Sequence, residues 1–213
     1  RAEQIGAKIN SLPPLLGWGK NNSLSILASE GGNKNYYVYE GIGTKKIKQK
    51  MKRNIRGLDQ IVDMDVSADG TMLAVSADRA GKNDVYLISV ARASLLPLTN
   101  DLFDDMSPRF VKGSSRRLVF ASNRPIDSLG LIKGNYKTIN NPVSLFEHDG
   151  TPRSGQMTLL LQGEGKYKML PVYADDKEVL YLSDANGLSN IYKLDKWLGY
   201  VSTSEAIKRA SEG

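Results

Sequence analysis

Residues that could catalyse a reaction are few in this sequence. It contains no cysteine, which removes disulfides, thiolate nucleophiles and thiolate zinc ligands together. A serine–histidine pair would have to use His148, the single histidine among 213 residues. That histidine stands in the segment FEHDG, whose apolar start and Asp-Gly end predict a strand running into a turn. We therefore predict that His148 is a solvent-exposed turn residue without a catalytic role.

Two further motifs match functional sites only in part. The segment GLSNI, residues 187–191, ends in Ile where a nucleophile elbow requires Gly, and it lies between two β-type runs, so we predict a hairpin. The acidic cluster of Asp101, Asp104 and Asp105 offers oxygen ligands to a hard cation but lacks the Gly and the closing Glu of an EF-hand loop. No phosphate-binding loop or dinucleotide fingerprint is present. We predict no catalytic residue, no metal and no cofactor.

The chain is basic, with a net charge of +6 that is densest in residues 45–56, KKIKQKMKRNIR. Clustered Lys and Arg would suit a nucleic acid or another anionic surface. They would equally suit the outermost strand of a sheet, where lysines prevent edge-to-edge pairing. Ile47 and Met51 are interleaved with polar residues as in a strand, and no aromatic side chain is interleaved to stack on bases. We favour the edge strand and predict no specific nucleic-acid binding.

Four segments of the chain repeat the same order of elements. Each has a short β-type run, a small residue, a polar turn and a second β-type run that carries Tyr or Phe. The small residues are Ser29, Ala77, Ser122 and Ser183, with spacings of 48, 45 and 61 residues. Two of these spacings match a blade-sized period of about 40–50 residues. One short run before each pair and one after it complete four antiparallel strands per unit, which favours a β-propeller.

The third spacing is long because a loop is inserted in one hairpin. In the second and fourth units nine residues separate the small residue from the Tyr, whereas Ser122 and Phe146 are 24 residues apart. The 15 additional residues fall within 125–141, and without them the period is 46 residues. Insertions of this kind mark the functional face of repeat proteins.

The third unit resembles the PD40 (TolB-type, WD40-like) propeller repeat. That repeat runs from Asp-x-x-Pro-x-aromatic through an Asp-Gly turn and an apolar strand to Ser-Asp/Asn-Arg, a second turn, an Ile-Tyr strand and a closing Leu-Thr. The matching residues of the third unit are Asp105, Pro108, Phe110, Phe120, Ser122, Asn123 and Arg124. The second unit matches at Asp69, Gly70, Asp78, Arg79, Gly81, Val85, Tyr86, Leu98 and Thr99. The fourth unit departs from the repeat with Ala185 in place of the Arg, and the first is the most degenerate.

This resemblance implies an all-β fold, a β-propeller of four-stranded antiparallel blades with about four blades in this chain. We predict a single propeller, or propeller segment, over residues 1–213. The repeat units are residues 11–57, 58–101, 102–163 and 164–213, with the inserted loop at 125–141. Residues 1–10 fit the last strand of a preceding unit, and residues 209–213 align with the start of another. We therefore expect part of a larger ring rather than a closed ring of four blades.

The compartment is predicted mainly by the resemblance. No run approaches the roughly 18–20 apolar residues of a membrane span, so we predict that the chain is not membrane-spanning. The first residue is Arg, with no apolar signal behind it, so we expect a processed form or a segment of a longer chain. The resemblance implies an exported bacterial protein, periplasmic or associated with the outer membrane, whose signal is not in this chain.

Two functions follow from the resemblance. One is a non-catalytic platform that binds other proteins or envelope components. The other is the gating propeller of a prolyl-oligopeptidase-like serine peptidase whose catalytic domain lies outside this chain. The candidates for partner contact, on the turns and the inserted loop, are Arg79, Asn123, Arg124, Leu129, Leu131, Ile132 and Tyr136. Because Arg79 and Arg124 share one repeat position, the alternative for both is a structural bond between neighbouring blades.

Overall fold

The computed structural model describes residues 13–124, 142–153, 155–163, 168–175 and 177–195. Within these ranges the chain forms β-strands and one short 3-10 turn, Lys20–Asn22. The strands assemble into four antiparallel sheets, which we call blades 1 to 4 in chain order. The prediction of an all-β fold is confirmed.

The strands follow one another in space in the same order as in the sequence. Blade 1 contains β1 (Leu15–Trp18), β2 (Leu24–Glu30), β3 (Asn33–Glu40) and β4 (Lys48–Ile55). Blade 2 contains β5 (Gln60–Val66), β6 (Met72–Arg79), β7 (Lys82–Ser89) and β8 (Ser94–Pro97). Blade 3 contains β9 (Asp105–Phe110), β10 (Leu118–Ser122), β11 (Ser144–His148) and β12 (Met157–Leu161). Blade 4 contains β13 (Lys168–Tyr173), β14 (Glu178–Ser183) and β15 (Asn190–Asp195). The fourth strand predicted for this unit lies outside the described residues.

The turn between the first two strands of blade 2 shows how the repeat sequence forces a hairpin. Gly70 has a φ of +72°, a conformation that a residue with a Cβ rarely adopts. The Asp69 carboxylate accepts bonds from the Ser67 hydroxyl at 2.7 Å and from the Thr71 backbone N–H at 3.0 Å. The Asp-Gly pair therefore fixes the turn both by backbone freedom and by side-chain bonding.

The four blades stand side by side through their first strands, β1, β5, β9 and β13. Between blades 2 and 3, Arg109 of β9 donates to the Asp63 carboxylate of β5 at 2.9 Å. The backbone N–H of Phe110 donates to Asp65 at 2.8 Å. These bonds connect the C-terminal end of β9 to the second half of β5, and the later residue of one strand bonds to the later residue of the other. The two strands therefore run in the same direction, as in the ring of a propeller.

Burial follows from the position of each blade in this row. All five residues of β10 in blade 3 are buried, because that sheet packs on both of its faces. In β2 and β14, burial alternates along most of the strand, because among the described residues the sheets of blades 1 and 4 pack on a single face. Apolar side chains on the other faces stay exposed, among them Leu16, Trp18 and Val172. The described sheets therefore form part of a β-propeller.

Candidate functional site

The hairpin turns of the blades divide the molecule into two ends. The turns between the second and third strands, together with the connections from one blade to the next, lie at one end, which we call the turn face. The turns between the first and second strands and those between the third and fourth strands lie at the opposite end. Of the predicted contact residues, Arg79 ends the second strand of blade 2 and Asn123 follows that of blade 3, so both belong to the turn face.

Beneath the turn face, a buried ion pair connects blade 3 to the segment that precedes it. The Arg124 guanidinium donates to both carboxylate oxygens of Asp105, at 2.8 and 2.7 Å, and it lies 3.1 Å from the Asp101 carboxylate. The Ser122 hydroxyl accepts a further bond from Arg124 Nε at 3.0 Å. Blade 2 joins the same network, because the Ser76 hydroxyl donates to the backbone carbonyl of Asp105 at 2.8 Å.

Burial and pairing act in opposite directions on these acids. Asp105 is fully buried, and burial raises its pKa to about 6 although the Arg124 guanidinium lowers it. The carboxyl is therefore ionised at neutral pH, where it bonds with Arg124. Burial also raises the pKa of Asp84, whose carboxylate accepts the Asp101 backbone N–H at 3.2 Å. We call Asp84, Asp101, Asp105 and Arg124 the blade joint.

The blade joint bears on the prediction that the acidic cluster binds no metal. Asp101 and Asp105 do come together, but their third neighbour is Asp84 and not Asp104. The Arg124 guanidinium binds two of the three carboxylates and supplies the positive charge that they require. That no metal binds here stays a prediction.

The position of Arg124 fits the alternative of a structural bond better than a contact with a partner. Its side chain is 8% exposed, and its bonds run to its own blade and to the connection from blade 2. The aromatic rings of Phe103, Phe120 and Phe146 lie within 5.9 Å of the guanidinium carbon. The guanidinium is therefore bound within the described chain, and a partner contact by Arg124 stays a prediction that this position does not favour.

The other two described candidates remain near the surface of the turn face. Arg79 is exposed at the end of β6. Asn123 is half-buried and forms a reciprocal pair with Asp104: its side-chain oxygen accepts the Asp104 N–H at 2.9 Å, and its amide donates to the Asp104 carboxylate at 3.2 Å. The remaining candidates lie outside the described residues: Leu129, Leu131, Ile132 and Tyr136.

The turn face also presents an apolar group that sequence reasoning missed. The segment GLSNI lies in the hairpin between β14 and β15, as predicted: Gly187, at a φ of +83°, belongs to the turn, and the last two residues begin β15. Leu188 in this turn is 71% exposed, and Ile191, the second residue of β15, is 73% exposed. Counted from the small residue of each repeat, Leu188 occupies the position of Lys34 and Lys82. This replacement of Lys by Leu at a repeat position was the sequence signal that could have indicated an exposed apolar side chain.

The prediction that His148 is an exposed turn residue is wrong. His148 is the last residue of β11, and only 2% of its surface is exposed. Its Nδ1 accepts the backbone N–H of Gly150 at 2.9 Å, so the strand continues through the histidine and the turn begins after it. Burial is the main cause that lowers the pKa of His148, so the ring is neutral at pH 7.

We expect His148 to make the stability of the protein depend on pH. A histidine whose pKa is lower in the folded state contributes stability that is complete above its unfolded pKa of about 6.5 and declines as pH falls below it. The variant His148→Asn keeps an acceptor for Gly150 but does not titrate. Urea unfolding between pH 5 and 7.5 should therefore show a steeper loss of stability on acidification in the wild type than in the variant. Parallel curves would contradict this role.

The basic segment behaves as the edge-strand prediction requires. β4 pairs with β3 alone within the described sheet of blade 1, and its Lys48 and Lys50 are exposed. Lys50 lies 3.2 Å from the Glu40 carboxylate, and the ammonium of Lys52 lies 5.1 Å from the centre of the Tyr37 ring. These lysines thus line an exposed sheet edge, where their charge opposes pairing with another strand.

Comparison with known proteins gives a fold and no sequence family. No protein-family model matches the chain, and no curated protein is similar to it in sequence. TolB from Acinetobacter baumannii has a TM-score of 0.61 and 15% identity, over 88% of this chain and 42% of that one. A TolB-like protein from Agrobacterium tumefaciens has a TM-score of 0.62 and 17% sequence identity, over 85% of this chain and 57% of that protein. Puromycin hydrolase has a TM-score of 0.57 and 13% sequence identity, over 88% of this chain and 27% of that protein.

These similarities are to parts of longer proteins. The chain spans about half the length of the two TolB structures and about a quarter of puromycin hydrolase. In the described part of the chain, no helix is long and apolar enough to cross a bilayer. At identities of 13–17% the similarity concerns the fold. The chain has the fold of a TolB-like β-propeller.

Proposed function

We propose that this chain is a non-catalytic propeller module that binds another protein through its turn face. Its main support is Leu188, which is 71% exposed in the β14–β15 turn of blade 4, with the exposed Ile191 close by at the start of β15. Exposed apolar groups rimmed by polar residues are typical of protein-binding surfaces. Arg79, in the corresponding turn of blade 2, adds a side chain type that is frequent at the centre of interfaces.

The non-catalytic assignment also has support from the chemistry of the side chains. A serine nucleophile needs a base within reach, and the only histidine of the chain is buried and already accepts the Gly150 N–H through Nδ1. The carboxyl groups of the blade joint are bound by Arg124 and by a backbone donor. We further propose that the protein is exported and works in the bacterial envelope, as its resemblance to the TolB-type repeat implies.

A second candidate function is the gating propeller of a serine peptidase. The similarity to a part of puromycin hydrolase favours it, because that protein is a hydrolase of which this chain matches about a quarter. In this case the binding face would contact a catalytic domain of the same polypeptide. The sequence on both sides of residues 1–213 separates the two candidates, since the peptidase requires a Gly-x-Ser-x-Gly segment between a strand and a helix.

Photo-cross-linking in cells of the source organism tests the turn face as a binding surface. A photoreactive residue is introduced at Leu188 or Arg79, both exposed on the turn face, and at Lys112, which is exposed at the opposite end. We expect one protein to be cross-linked from both turn-face positions and not from Lys112. Cross-links that are equal at all three positions, or that share no protein between Leu188 and Arg79, would contradict the proposal.

A further inference from the structure

At the end opposite the turn face, a cavity of about 280 Å³ lies between blades 2 and 3. Blade 2 contributes Met72, Leu87 and Leu96, and the β11–β12 turn of blade 3 contributes Pro152. Leu87 is buried and Met72 and Leu96 are half-buried, so the inner part of the cavity is apolar. The cavity continues the apolar core between the two blades, because Met72 and Leu96 also pack against that core.

Two arginines are among the residues that line the same cavity. Arg92 lies in the β7–β8 turn and Arg116 lies just before β10, and both are exposed. Within the described residues neither has an acidic partner, whereas the next residue, Arg117, pairs with Glu147. Arg remains charged at every accessible pH. The cavity therefore combines an apolar interior with two positive charges whose counter-ion the described chain does not supply.

An acidic side chain in the adjacent turn is already engaged. The Asp149 carboxylate accepts the backbone N–H of Thr151 at 2.8 Å and that of Gln156 at 3.0 Å, and these bonds lower its pKa. Asp149 thus holds the β11–β12 turn and not the arginines. The same turn is fixed against Arg116, because a Cβ on Gly150 would lie 2.2 Å from the Arg116 carbonyl oxygen.

We propose that this cavity binds the end of a partner polypeptide, with an apolar side chain inside and the terminal carboxylate between Arg92 and Arg116. Its volume lies just below the roughly 300–1,000 Å³ of sites for whole small-molecule ligands and suits a single side chain. Arginine pairs with carboxylates through two parallel hydrogen bonds, which makes such a contact both strong and directional. A C-terminal Leu or Phe presents both required groups within one residue.

This site goes beyond the proposed function, because it lies at the other end of the blades. A protein bound to the turn face and a peptide end in this cavity would occupy separate surfaces. The variant Leu188→Lys should therefore leave peptide binding unchanged, and the variants Arg92→Gln and Arg116→Gln should leave turn-face binding unchanged. Failure of one proposal is thus distinguishable from failure of the other.

The test uses the 213-residue chain with its methionine methyl groups labelled with carbon-13. Met72 lines the cavity and reports binding by NMR, and its signal is assigned from its loss in Met72→Leu. Three probes are titrated: N-acetyl-Gly-Gly-Leu with a free carboxylate, its C-terminal amide, and N-acetyl-Gly-Gly-Ser with a free carboxylate. The first supplies both groups, and each of the others lacks one.

We expect the Leu peptide with a free carboxylate to shift the Met72 signal to saturation and to bind about tenfold more tightly than the other two. Arg92→Gln and Arg116→Gln should each weaken it by a similar factor, and Arg56→Gln in blade 1 should not. Equal binding of the acid and the amide, or no loss in the two cavity variants, would overturn the proposal. So would the absence of any saturable shift.

Discussion

Replacing Arg124 by methionine is expected to lower the free energy of unfolding by about 3–5 kcal/mol, as measured by urea denaturation. The reason is the blade joint: Asp105 is fully buried and its carboxylate is bonded through both oxygens to Arg124. Without the guanidinium, the Asp105 carboxyl would remain in the core with no compensating charge and would have to take up a proton or stay ionised without a partner, and either state costs stability. Arg79→Met, at the same repeat position but on the surface, should change stability by less than about 1 kcal/mol.

A double variant separates the loss of the charge pair from the loss of packing. In Arg124→Met with Asp105→Asn, the fully buried carboxylate that Arg124 binds through both oxygens is replaced by a neutral amide, which retains hydrogen-bonding capacity. We expect it to recover more than half of the stability that the single variant loses. A double variant no more stable than Arg124→Met alone would show that packing around the Arg124 side chain, and not the ion pair, determines the effect.

Phe120→Ala is expected to destabilise the protein by about 3–5 kcal/mol. Phe120 lies in β10 with none of its surface exposed, and its ring stacks on that of Phe146 at 6.1 Å between centres. It belongs to the core between blades 2 and 3 together with Leu87 and Phe110, so its removal opens a cavity at the junction of two sheets. Equilibrium denaturation measures this effect.

A matched pair of variants controls for the size and place of the change. Phe120→Leu keeps most of the apolar volume and should cost less than about 1.5 kcal/mol. Ile191→Ala, at a side chain that is 73% exposed, should cost less than about 0.5 kcal/mol. Comparable losses in Phe120→Ala and Ile191→Ala would mean that the packing of blades 2 and 3 does not limit stability.

The fold could be predicted from sequence because each blade repeats a local pattern. Alternating apolar residues, Asp-Gly and Gly-Asn turns and a small residue before each second turn are properties of a few neighbouring residues. The period of 45–48 residues then orders the strands without any knowledge of contacts between distant parts. The inserted loop was located by the same count, since it lengthens a single hairpin.

The blade joint could be predicted only in part. Asp105, Ser122 and Arg124 match the repeat, but the place of Asp84 in the group depends on how blade 2 packs against the connection to blade 3. Clustering along the sequence suggested Asp104 instead. Its side chain is directed to Asn123, since acids that are adjacent in a strand or connection need not share one face.

His148 was misplaced because the Asp-Gly pair after it dominated the interpretation. Phe146 and His148 are two residues apart in one strand, and side chains at this spacing lie on the same face. Since Phe146 is a core residue, this period would have placed the histidine in the interior. The Gly150 N–H supplies the bond that a buried imidazole nitrogen needs.

The blades give the turn face the rigidity that recognition requires. The stacked sheets support the connections, and the blade joint fixes the one from blade 2 to blade 3, while the hairpin turns vary in sequence without loss of a ladder hydrogen bond. Leu188 illustrates this variation, because it replaces a lysine of the repeat within an otherwise regular hairpin. The variant Leu188→Lys restores the residue type of the other blades, so it should remove an apolar contact without disturbing the fold.

The affinity of the cross-linked partner for purified variants is the most direct measurement of partner binding through the turn face. Calorimetric titration of that partner into the wild type, Leu188→Lys and Lys112→Ser compares the two ends of the blades. Binding through the turn face predicts an affinity about tenfold weaker for Leu188→Lys, because a buried Leu contributes about 1.5–3 kcal/mol, and no change for Lys112→Ser. Equal affinities for all three proteins would contradict it, as would cleavage of the partner by the chain alone.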